Sequence, residues 1–123
     1  MGDINQTLQP FQPLLGPNAS TVGISATASS VPVTLPVPLQ GQQPPSAYEF
    51  VNVGAATVFV ALGPSGTAAT VPTGSTPGSY CVPAGTRRII TAPANPLATT
   101  AAAIGASAGP TLVYVTPGYG SGG

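Results

Sequence analysis

Few side chains in this sequence could take part in acid–base, nucleophilic or metal chemistry. They are two acids, Asp3 and Glu49, two arginines, Arg87 and Arg88, one cysteine, Cys81, and the tyrosines Tyr48, Tyr80, Tyr114 and Tyr119. The chain has no His, no Lys and no Trp. A Ser-His-Asp or Cys-His arrangement cannot be assembled without His. A paired-carboxylate site would require Asp3, near the start of the chain, to meet Glu49, near its middle. One cysteine and two acids fall short of a dedicated zinc or calcium ligand set. The last six residues, Gly118-Tyr119-Gly120-Ser121-Gly122-Gly123, fit G-x-G-x-x-G, but that fingerprint needs a helix to follow, and here the chain ends. The run Gly63-Pro64-Ser65-Gly66-Thr67 lacks the lysine of a phosphate loop. The expectation is therefore a protein that is not an enzyme, with no catalytic residue, no cofactor and no metal.

The same groups can serve in recognition. Adjacent residues of a strand point to opposite faces, so at most one of Arg87 and Arg88 faces the core side. Solvent exposure is the plain reading of both; the sharper one has an arginine anchoring a partner's carboxylate or carbonyl groups. The four tyrosines could supply stacking rings, although packing in the core or in a hairpin is the favoured reading of each. Cys81 is alone and can form no internal disulfide; it is expected to be a small buried hydrophobe. The sequence contains no basic patch, which argues against nucleic acid as a partner. It contains no apolar stretch of about 18 residues, so no membrane-spanning helix is expected. Residues 1–20 lack the basic start and apolar run of a secretory signal. The sequons at Asn5 and Asn18 then carry little meaning.

These groups must be held by an unusual chain. Its 123 residues suit one domain, and an apolar share of 42% is enough for a core. Gly and Pro number 16 each. Disordered chains of that composition are usually charged and poor in β-branched residues; this one has β-branched runs and only four charged side chains. Short strands joined by Gly/Pro turns fit better. With a formal net charge of zero, little like-charge repulsion separates the molecule from its neighbours, as suits a subunit of an assembly.

Residues 1–20 read as an extended N-terminal arm, because Pro10, Pro13 and Pro17 forbid a regular helix. Its apolar residues Ile4, Leu8, Phe11, Leu14 and Leu15 must be covered, either by their own domain or by a neighbouring subunit. Residues 31–39 alternate, with Val31, Val33, Leu35, Val37 and Leu39 on one face. Pro32, Pro36 and Pro38 fall between them and remove donors from a single edge, which describes an edge strand blocked against further pairing. A polyproline-like segment is the competing reading. The runs 47–53 and 56–62 read as two central strands joined as a hairpin across Gly54-Ala55. Further strands are expected over 67–71, 79–82, 86–91, 99–104 and 111–116, with turns at 63–66 and 83–85. The alanines of 99–104 favour helix, but shortness and flanking residues favour strand. The sum is an all-β chain: a single β-sandwich or jelly-roll-like domain of about eight short strands over 21–118, with a Gly-rich C-terminal tail at 119–123.

Three of these segments resemble a known family. They are Tyr48-Glu49-Phe50-Val51-Asn52-Val53-Gly54 with Ala56-Thr57-Val58-Phe59-Val60-Ala61-Leu62-Gly63; Val82-Pro83-Ala84-Gly85 leading into a strand; and Ala101-Ala102-Ala103-Ile104 followed by Thr111-Leu112-Val113-Tyr114-Val115-Thr116-Pro117-Gly118. The pattern is similar to that of small tailed-bacteriophage head decoration, or cement, proteins, and covers roughly the last two-thirds of the chain. The resemblance implies a jelly-roll-like sandwich made in the host cytoplasm and carried on the virion. It would sit on the capsid exterior as a homo-dimer or trimer and bridge subunits of the major capsid protein. The candidate interface is then Ile4, Leu8, Phe11, Leu14 and Leu15 of the arm, Arg87, Arg88, and Tyr119 of the tail. Two other functions fit the same composition: a module of a fibre or spike that binds sugar or another host-surface group, and a head–tail connector component.

Overall fold

A computed structural model describes residues 12–13, 21–35, 45–91, 100–105 and 110–119. Among them it is all-β, with no helix and two antiparallel sheets. The strands are β1 (Gln12–Pro13), β2 (Val22–Ala26), β3 (Val31–Thr34), β4 (Ala47–Asn52), β5 (Val58–Gly63), β6 (Tyr80–Val82), β7 (Arg87–Thr91), β8 (Thr100–Gly105) and β9 (Thr111–Tyr119). One sheet runs β2-β9-β4-β7, with β1 pairing the far end of β9; the other runs β3-β8-β5-β6. Apart from the β5–β6 connection, every link from β2 onward carries the chain from one sheet to the other.

Period-two alternation puts the core between the sheets. Ile24 and Ala26 of β2, Tyr48 and Phe50 of β4, and Val113 and Val115 of β9 meet Val58 and Val60 of β5, Val82 of β6, and Ala101 and Ala103 of β8. β8 contributes the small side chains of this core, Ala101 and Ala103, and β4 its bulkiest, Tyr48 and Phe50.

β3 behaves as its alternation requires over the described part. Val31 and Val33 pack against the core, Leu35 is buried, and Pro32 and Thr34 are exposed. It ends its sheet, with β8 as its one partner among the described residues. The continuation that carries Pro36 and Pro38 lies outside the described residues.

Four expectations need correction. β4 and β5 are central strands but not a hairpin, since they lie in different sheets. The link between them lacks the Asn-Gly or Asp-Gly chemistry of a two-residue turn, and the buried Asn52 side chain organises it as a crossover instead. Residues 67–71 form no strand; Ala69 N–H donates to Ser30 Oγ at 2.8 Å and Thr70 N–H to Ser79 Oγ at 2.9 Å, so hydroxyls replace a ladder. β2 is a strand beyond those expected, although Val22, Ile24 and Ala26 alternate with Gly23 and Ser25. Finally, β9 does not stop at Pro117-Gly118 but runs on to Tyr119, so Tyr119 belongs to the sheet and not to a tail. The reason is local. β2 pairs β9 as far as Val115, and β1 begins pairing it at Gly118. Pro117 falls in the interval, where its missing N–H costs no ladder bond.

Candidate functional site

The crossover after β4 is held by a dense set of hydrogen bonds. Asn52 is buried, and its side chain is fully used: Nδ2 donates to Ala56 O at 2.8 Å and Val82 O at 3.0 Å, while Oδ1 accepts from Gly54 N–H at 2.9 Å. Its main chain donates to Thr86 O at 2.9 Å and accepts from Gly85 N–H at 3.0 Å. A Cβ at Gly54 would collide with the Thr111 methyl, so the crossover needs glycine there. Gly85, with φ +70°, takes the left-handed position that ends the turn into β7. Asn52 thus fastens β4 in one sheet to β6 in the other and sets where β7 starts. Nothing in local composition marked this residue; an Asn inside a β-branched run was the available signal.

β7 then forms the free side of its sheet, with β4 as its one partner among the described residues. The orientation of its backbone follows from two bonds. Asn52 N–H bonds toward Thr86 O, and Val53 N–H toward Leu112 O at 3.1 Å. Successive residues aim their backbone groups at opposite neighbours. Tyr48 and Phe50 therefore bond toward β7, and through the register Tyr48↔Ile90 and Phe50↔Arg88 they occupy the groups of Ile90 and Arg88. The N–H and C=O of Arg87, Ile89 and Thr91 aim outward. On β3 the parity is opposite in effect: Pro32, opposite Ala102, can give β8 no donor and aims its N away from the sheet.

Charge falls on β7 as well. Arg87 Nη1 donates to Glu49 Oε2 at 2.8 Å, with the arginine side chain 59% exposed and the glutamate 16%. Arg88 lies on the opposite face, in register with the buried Phe50, yet is itself exposed and has no acid partner among the described residues. The two arginines do split between faces, as strand alternation requires.

The other candidate residues do not come together. Ile4, Leu8, Phe11, Leu14 and Leu15 lie outside the described residues, as does Asp3. Tyr119 is half-buried at the end of β9. Tyr48 is a core residue, and burial pushes its phenol above the ordinary value of 10.0. Tyr80 and Tyr114 are exposed but belong to different sheets, so they build no common stacking platform. Cys81 is exposed on β6, not buried as expected; β6 ends its sheet, and Cys81 alternates with the inward-facing Val82. No cluster of three or more metal-ligating side chains occurs among the described residues.

One groove of about 350 Å³ lies beside β3, lined by Ser30, Pro32, Thr34, Ser65, Thr67 and Thr100 among others. Its hydroxyls are partly committed: Ser30 Oγ accepts from Ala69 N–H, and Thr67 Oγ1 donates to Pro64 O at 2.7 Å. It holds no charged group to orient a ligand. Comparison of the chain with family models, curated proteins and solved structures finds no match.

Proposed function

We propose that this chain is a structural virion subunit that decorates and cements the outside of a tailed-phage capsid. In this reading it bridges subunits of the major capsid protein and does no catalysis. The observation that carries the proposal is the interleaved strand order, β2-β9-β4-β7 facing β3-β8-β5-β6. That order supports a jelly-roll reading, an architecture used by viral capsid domains. The scarcity of ionisable side chains adds to it. With so few charges, attachment must rest on apolar burial and main-chain hydrogen bonds. A subunit that binds the assembled shell but not its free parts stabilises the shell by mass action. Contact with two capsid subunits at once makes the second contact intramolecular. A dimer or trimer on a symmetry axis would repeat that bridge.

The experiment is add-back. Capsids produced without this protein are mixed with the purified chain, sedimented, and heated in a calorimeter. Co-sedimentation, a higher melting temperature of the shell, and retention within about tenfold between roughly 0.1 M and 1 M salt are expected. A chain that stays in the supernatant, or leaves the shell outright at high salt, would sink the proposal.

A further inference from the structure

The open side of β7 carries an inference that rests on the attachment reading and names the partner's chemistry. We propose that β7 accepts an extended acidic segment of another protein as an added antiparallel strand, with the partner's carboxylate on Arg88.

Three observations converge on this. The backbone groups of Arg87, Ile89 and Thr91 aim outward in a regular array with no neighbour among the described residues. Such an array is a template for strand addition. Arg88 supplies the second observation. Its own backbone groups bond to β4, so a residue added opposite it would form a non-hydrogen-bonded pair. In that kind of pair the side chains stand closest, which suits a short carboxylate meeting a guanidinium. The third is charge. Glu49 and Arg87 already neutralise each other, and Arg88 is the one arginine of β7 left without an acid among the described residues. An unpaired arginine discourages indiscriminate pairing at an edge. It does so conditionally, because an incoming acid converts the same charge into attraction.

Charge also separates this occupant from a second copy of the chain. A β7–β7 pairing about Ile89 would place Arg88 opposite Ile90 of the other copy. It would bring in two more arginines and no free acid from the described residues, where Glu49 is the one acid and is taken. The partner segment should then read, in the antiparallel sense, Thr-like opposite Thr91, apolar opposite Ile90 and Ile89, and acidic opposite Arg88. Ile90 packs against the core, so its apolar opposite would extend the buried layer.

The test uses the full chain and two capped peptides, STVVETS and STVVKTS, with backbone amides followed by hydrogen exchange and NMR titration. The acidic peptide should protect the amides of Arg87, Ile89 and Thr91 while leaving those of Arg88 and Ile90 as slow as before. Arg88→Glu should weaken it by about fivefold and favour the lysine peptide by a similar factor. Equal binding of both peptides, no binding of either, or protection of the same amides on concentrating the protein alone would overturn the proposal. Add-back of the Arg88→Glu variant to capsids separates the two readings. If it cements shells like the wild type, β7 is not the attachment edge while the cementing role survives.

Discussion

At one side of the sandwich β3 closes its sheet with Pro32 aimed away from β8; at the other, β7 closes its sheet with the backbone of Arg87, Ile89 and Thr91 aimed outward. Both are edge strands, and both would offer pairing sites if left bare. Proline removes the donor covalently, and no partner or solvent condition restores it. Arginine discourages pairing through charge, which a complementary partner can reverse. The two sides teach that a nearly uncharged protein can place Glu49, Arg87 and Arg88, three of its four charged side chains, at an edge where pairing remains chemically possible.

The sharpest way to break this comparison is to move proline to the open side. Arg88→Pro removes a donor bonded to β4 and should cost about 3 kcal/mol or more. Ile89→Pro removes a donor that points away from β4 and has no partner among the described residues, so it should cost about 1–2 kcal/mol, mostly lost packing, and should abolish peptide addition. Equal losses in urea denaturation would show the backbone parity to be wrong. Next in size is Asn52→Ala. It strands Gly54 N–H, Ala56 O and Val82 O in a partly buried crossover and should cost about 2–3 kcal/mol. Faster amide exchange should then appear in β6 and β7 before β2 and β3, since Asn52 fastens only the open side.

Smaller effects follow from Tyr48 and Pro32. Tyr48 has its phenol pKa raised by burial, so the folded state holds that proton more tightly than the unfolded one. Its stabilising contribution is complete below the ordinary value of 10.0 and is lost as pH rises from there through the folded value. Thermal midpoints should therefore fall above that pH, with the slope reduced in Tyr48→Phe. Pro32→Val restores an outward donor on β3 and should cost at most about 1 kcal/mol, through a freer unfolded chain. Its visible result should be self-association at high concentration, read by light scattering. A strictly monomeric Pro32→Val would show that the proline does not guard that edge.

Much of the fold is legible in the order of residues. The alternation at 31–35, the β-branched runs of β4, β5, β7 and β9, and the Gly/Pro turns at 63–66 and 83–85 are local signals, and the all-β sandwich follows from them. Cys81 departs from expectation because cysteine's usual burial says nothing of its place on an edge strand. The expected hairpin between β4 and β5 fails for a related reason: nearness in sequence favours local pairing, whereas each run pairs with strands well downstream, β4 with β7 and β9 and β5 with β6 and β8. Pro117 resembles a strand end because the gap between β1 and β2 that tolerates it exists only after folding. Of the candidate site, the split of the two arginines is readable from strand alternation, but the pairing of Arg87 with Glu49 is not, because it depends on the register between β4 and β7.

The sequence alone determined the period of each strand, the near absence of acid–base and metal-binding groups, and the placement of Arg87 and Arg88 on two faces. These are properties of residue type and of spacing along one strand. Tertiary structure decided which strands became neighbours, that Arg87 rather than Arg88 meets Glu49, that Asn52 ties the sheets together, and that β7 ends with its outer groups unpaired among the described residues. Those outcomes depend on long-range register, which is chosen by how all the buried faces fill one shared core and is written in no single segment.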